Sequence, residues 1–113
     1  MSETNKYDSV AELMRFIGAR YVFNHENYPA LSPTASVAEK RAFAVSHSAH
    51  HMMKSLGRIS VESESWDHGG TMNEETLREA TVKMLINVLK LAEELGILPG
   101  ELIGSVPRLM RSK

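Results

Sequence analysis

Apolar residues recur along this chain at helical rather than strand spacing. Val10, Leu13, Met14, Ile17 and Tyr21 share one face of a first helix, which Ser9 or Asp8 can cap and which ends near Phe23. The run NHENYPALSPTAS is rich in Asn, Pro and Ser and predicts a loop, ordered by the packing of Tyr28 and Leu31. A second helix opens at Ser36, because Ser36 and Glu39 have the spacing of a capping box. It runs to about Val61, with Phe43, Ala49, Met52, Met53, Leu56 and Ile59 facing inward. The segment ESESWDHGG breaks the pattern, and Gly69-Gly70 predicts a turn. Asn73 or Thr71 caps a third helix, with Glu74 and Glu75 at its positive end. Gly96 suits the left-handed position that closes this helix. Pro99 starts a short fourth helix around residues 101–104, which Pro107 interrupts before a basic tail. Gly18 and Gly57 are places where another helix can come close.

This order of elements predicts an all-α fold, an antiparallel helical bundle of two long and two short helices. The long pair is 36–62 and 74–95. The third helix carries two apolar stripes: Leu77, Met84, Val88, Leu91 and Leu95, and then Leu85, Leu89 and Ala92. A helix apolar on two sides is buried between partners. We therefore expect the first helix to cover the second stripe, together with a second copy of the chain in a homodimer.

At 113 residues the chain has the length of one domain, with residues 1–8 expected to be disordered. The 13 basic and 14 acidic residues give a net charge of −1, which offers no basic excess for nucleic acid or an anionic membrane. The absence of cysteine excludes disulfides and thiolate metal sites and fits a cytoplasmic location. The apolar runs are too short to span a membrane, and MSETNKYDS lacks the apolar region of a signal peptide.

Three segments carry candidate chemistry. Three of the five histidines, His47, His50 and His51, lie on the second helix at spacings that put side chains on one face. They can ligate a transition metal if a carboxylate joins them, or they can be interface residues hydrogen-bonded to neighbours. The loop with His25 and Tyr28 combines a titratable ring with an aromatic face that can meet a partner, or simply fixes the loop. Trp66 and His68 stand at the glycine turn and offer the same two readings. No phosphate loop, nucleophile elbow or Cys–His arrangement is present.

The run from Glu79, EATVKMLINVLKLAEELGI, resembles the last long helix of the MazG-like, all-α nucleotide pyrophosphohydrolases. The resemblance extends back to Ala42–Ile59, covers about residues 36–104, and has the flavour of phage or prophage members. In that family E-E-x-x-E and E-x-x-D motifs on successive helices bind Mg²⁺ and hydrolyse nucleoside triphosphates to monophosphates. Here the first motif's acidic positions fall on Ser46, His47 and His50. The second motif's glutamate falls on Glu79 or Ala80 and its aspartate on Lys83, with Asn87 one turn further on. The resemblance thus implies a catalytically degenerate relative with no catalytic residue, metal ligand or cofactor of its own. It would bind a nucleotide-like anion or a protein partner through His47, His50, Glu79, Lys83 and Asn87. One alternative is an active Mg²⁺-dependent pyrophosphohydrolase with a rearranged site. Another is an interaction protein working through His25, Tyr28, Trp66 and His68.

Overall fold

The computed structural model describes residues 9–111, and the disorder expected for residues 1–8 lies outside these. The described residues form four helices: α1 (Val10–Arg20), α2 (Val37–Asp67), α3 (Glu74–Glu94) and α4 (Pro99–Arg111). They contain no strand. α2 packs chiefly on α3, while α1 packs on α3 and α4.

Local chemistry sets the helix starts. Ser9 caps α1 by accepting from the Glu12 N–H at 3.1 Å. At α2 the Ser36 hydroxyl accepts from Glu39 N–H, and the Glu39 carboxylate accepts from Ser36 N–H, completing the capping box. Asn73, rather than Thr71, caps α3. Two helices end in the same motif. Gly69 and Gly96 have φ of 87° and 76°, and the residues after them, Gly70 and Ile97, bond back to the Ser65 and Ala92 carbonyls.

Three boundaries differ from expectation. α1 stops at Arg20, and Phe23 leaves it to enter a separate core. α2 continues past Val61 to Asp67. Loss of apolar periodicity there marks loss of a packing partner rather than loss of helix, since no Gly or Pro intervenes before Gly69. The end is tied down instead by Glu62, whose carboxylate accepts from Asn73 N–H at 2.6 Å. α4 runs through Pro107 to Arg111. Proline removes one N–H bond, and on this exposed helix water can take the freed carbonyl.

Two small cores result. In one, Met14 and Ile17 of α1 bury against Leu89 and Ala92 of α3, with Ile97 and Leu102 alongside. An isolated 11-residue helix is marginal in water, so this docking holds α1. Each buried Ile or Leu contributes about 1.5–3 kcal/mol. A Cβ at Gly18 would overlap the Glu93 carboxylate, so this glycine does mark a close approach. Gly57 does not, having nothing near it. The second core joins Phe23 and Leu31 of the 21–36 loop to Ala44 of α2, with Tyr28 and Phe43 packed on it. The loop is therefore ordered by the residues expected to order it.

Of the residues of α2 expected to face inward, Phe43, Ala49, Met52 and Ile59 are half-buried, while Met53 and Leu56 are not. Its fully buried residues are the small Ala44, Ser48 and Ser55, and Ala80 is buried on α3. Met53 and Leu56 are exposed, as are Val82, Leu85 and Val88 of α3. α1 thus covers Leu89 and Ala92 of the second stripe and leaves Leu85 bare. The radius of gyration is 16.8 Å, well above the roughly 13 Å of a compact chain this long. No helix among the described residues is long and apolar enough to cross a membrane.

Candidate functional site

Helical spacing lines up a second face of α2. His47, His51, Lys54 and Arg58 recur every three or four residues, with Ser55 beside them, and so project to one side. Lys83, Ile86, Asn87 and Lys90 do the same on α3. Where the two rows diverge they form a trough of about 500 Å³, closed at one end by Tyr21, Phe23 and Tyr28.

The closed end is aromatic. His47 stacks on Phe43, with ring centroids 5.3 Å apart and planes at 17°. Tyr28 and Phe23 meet the His47 ring edge to face at 4.9 and 5.4 Å. His51, one turn on, lies 4.5 Å from His47. Burial, then the neighbouring His51 and His50, holds His47 below its ordinary value of 6.5. At the same end the Lys90 ammonium lies 4.5 Å over the Phe23 ring. Its side chain is only 5% exposed and donates to Glu93 at 3.0 Å and Glu94 at 2.9 Å. Those carboxylates hold the charge of Lys90 in place from outside the trough.

The other end is cationic. Lys54 has no hydrogen-bond or ion-pair partner among the described residues. Lys83 donates to Glu79 at 3.0 Å. This bond, with the Lys83 charge and more weakly that of Arg58, holds the Glu79 carboxyl below the usual carboxylate range. Arg58 and Lys83 also border a smaller cleft that contains Glu75 and Glu79. The Asn87 amide donates to the Lys83 carbonyl at 2.9 Å, which leaves its own oxygen as an acceptor. Among the described residues no carboxylate lines the main trough, although the chain as a whole is slightly acidic.

Of the residues expected from the sequence, His47, Lys83, Asn87 and Tyr28 meet in this trough. His50 does not line it and is exposed: three residues on from His47, it turns past the edge, whereas His51 at four does not. Glu79 lies in the adjoining cleft. His25 is occupied within its loop, where Nδ1 donates to the Leu31 carbonyl at 2.8 Å. Trp66 and His68 stand together at the exposed end of α2, away from the trough. Sequence reasoning missed Lys54, Arg58 and Lys90 as site residues. Their spacing of 47, 51, 54 and 58 on one helix, and 83, 87 and 90 on the next, was the available signal. No family model, no curated protein and no solved structure matches this chain.

Proposed function

We propose that this chain is a catalytically degenerate MazG-like helical protein that binds a nucleotide-like anion in the trough between α2 and α3. The observation that carries this reading is the lining: aromatic rings at one end, basic side chains at the other, and no carboxylate among the described residues. Such a site suits a flat ring joined to a phosphate. Stacking against an aromatic ring contributes about 0.5–1.5 kcal/mol, and a charge-assisted hydrogen bond about 1.5–3 kcal/mol. The pairing of Glu62 with Asn73, and of Arg58 with Lys83, near the turn, and of His47 with Lys90 far from it, favours an antiparallel α2–α3 pair as in that family.

The Mg²⁺ that the pyrophosphohydrolase alternative requires does not fit these residues. Mg²⁺ prefers several hard oxygen ligands. The motif positions offer Ser46, two imidazoles and an ammonium, and the carboxylate at Glu79 is already bound to Lys83. No catalytic step is assigned to the site.

A homodimer completes the proposal. The exposed apolar side chains Met53 and Leu56 on α2, and Val82, Leu85 and Val88 on α3, need a cover. An elongated chain with two small cores has the character of a subunit.

Calorimetric titration of the wild type and Lys83→Glu with ATP and a monophosphate tests the anion reading. Lys83 is half-exposed, so the variant should keep its fold and lose most of the binding. Flat titrations of the wild type would remove the anion reading and leave an interaction protein, with the exposed Trp66 turn as its working surface.

A further inference from the structure

We infer that the cationic end of the trough takes a diphosphate or longer phosphate run in its metal-free form. Lys54, Arg58 and Lys83 then neutralise the charge that a divalent cation neutralises in other nucleotide sites. This rests on reading the trough as an anion site and goes beyond it, because it fixes the ligand's charge and its metal dependence.

The argument starts from the arrangement of charge. From His47 to Arg58 is 11 residues of helix, roughly 16 Å along α2. The cations occupy one end of that length: Lys54 and Arg58 are a single helical turn apart, roughly 6 Å, and Lys83 lines the same trough from α3. Lys90, at the aromatic end, is already neutralised by Glu93 and Glu94. The cations left for a ligand are Lys54, Arg58 and, shared with Glu79, Lys83. They come from two helices that face each other, so phosphates lying between them meet positive charge from both sides. Three cations exceed the charge of a single phosphate even with Lys83 shared with Glu79, whereas a run of two or more brings charge enough for all of them. Coordinating Mg²⁺ takes two units of negative charge off such a ligand and places a cation among ammonium and guanidinium groups. Both effects oppose binding.

The test is calorimetric titration at low salt with adenosine, AMP, ADP and inorganic pyrophosphate, in EDTA and again in excess Mg²⁺. Low salt matters because Lys54 and Arg58 are exposed. In EDTA, ADP and pyrophosphate should bind at least about tenfold tighter than AMP, the ratio expected of one added charge-assisted contact. Excess Mg²⁺ should weaken ADP binding by a similar factor. In Lys54→Gln/Arg58→Gln the preference for ADP over AMP should disappear with little change in melting temperature, since both side chains are exposed and Arg58 acts on Glu79 only weakly. Equal affinity for AMP and ADP, or binding of ADP only with Mg²⁺, overturns the inference and leaves the anion reading intact. No binding of AMP, ADP or pyrophosphate under either condition overturns both.

Discussion

Removing the carboxylates of Glu93 and Glu94 should cost this protein more stability than removing the lysine they hold. Lys90 is the most buried charge described, with a side chain 5% exposed and two oxygens at 2.9–3.0 Å. The side chains of Glu93 and Glu94 are 37% and 25% exposed, so water can solvate them without Lys90. The asymmetry sets the magnitudes. Glu93→Ala/Glu94→Ala strands a dry ammonium whose remaining partner is the Phe23 ring, and breaking a buried pair in this way costs about 3–5 kcal/mol. Partial exposure of the carboxylates puts the expected value at the low end, about 3 kcal/mol. Alanine favours helix slightly, so the measured loss is a lower limit. Lys90→Met keeps most of the packing, loses a cation–π contact worth about 0.5–2 kcal/mol, and removes a costly desolvated charge. Its net cost should be about 1 kcal/mol or less. Urea denaturation at fixed protein concentration measures all three variants. The triple variant Lys90→Met/Glu93→Ala/Glu94→Ala should be more stable than the double. A double variant within about 1 kcal/mol of wild type, or a triple less stable than the double, would refute the reasoning.

Two further outcomes follow from local structure. Ser36→Ala removes the acceptor for Glu39 N–H and half of the capping box, and should lower stability by about 1 kcal/mol in the same urea assay. Leu56→Lys/Leu85→Lys places charge on the uncovered apolar face without touching either core. Light scattering at micromolar concentration should give twice 12.6 kDa for wild type and 12.6 kDa for the variant, and a monomeric wild type rules out the homodimer.

Helix starts were legible because each depends on residues within one turn: Ser9, Ser36 with Glu39, and Asn73 all cap as their spacing predicts. The ends of α2 and α4 were not. Apolar periodicity reports a packing partner, and both helices run beyond theirs. The inward face of α2 was legible in part, through the half-buried Phe43, Ala49, Met52 and Ile59. Hydropathy also selects Met53 and Leu56, which are exposed, and passes over Ala44, Ser48 and Ser55, whose small side chains are the ones fully buried. Much of the site follows from that burial. With small side chains buried, the larger basic ones beside them line a trough instead of packing together. Lysine and arginine on a helix usually signify a solvated face, and only the juxtaposition of two helices shows that Lys54, Arg58, Lys83 and Lys90 share one space. His47, Lys83 and Asn87 were found because helical spacing and the resemblance pointed to the same positions.

The histidine at the aromatic end couples that space to pH. In the folded chain His47 is held below 6.5, first by burial and then by His51 and His50. The unfolded chain, with an ordinary imidazole, takes up the proton more readily. Stability is therefore full above about pH 6.5 and declines as the pH falls from there through the lower folded value. Glu39 and Glu79, both held below 4.5, act in the same direction but only in the carboxylate range, so the two windows separate. His47→Phe keeps a ring against Phe43 and Tyr28 and should flatten the first window alone. An anion in the trough opposes that preference at His47, weakly, because its phosphates lie two to three turns away towards Lys54 and Arg58 and still favour the charged ring. By linkage, the proton then strengthens the anion's binding by the same factor. Acid should thus weaken the empty protein while it increases the stabilisation that ADP gives. Thermal melts with and without ADP at about pH 7.5 and about pH 5.5 measure this. ADP's own phosphates also titrate in that range, and comparison with His47→Phe removes their share. A ligand-induced shift that changes with pH equally in wild type and variant would show that His47 does not sense the anion.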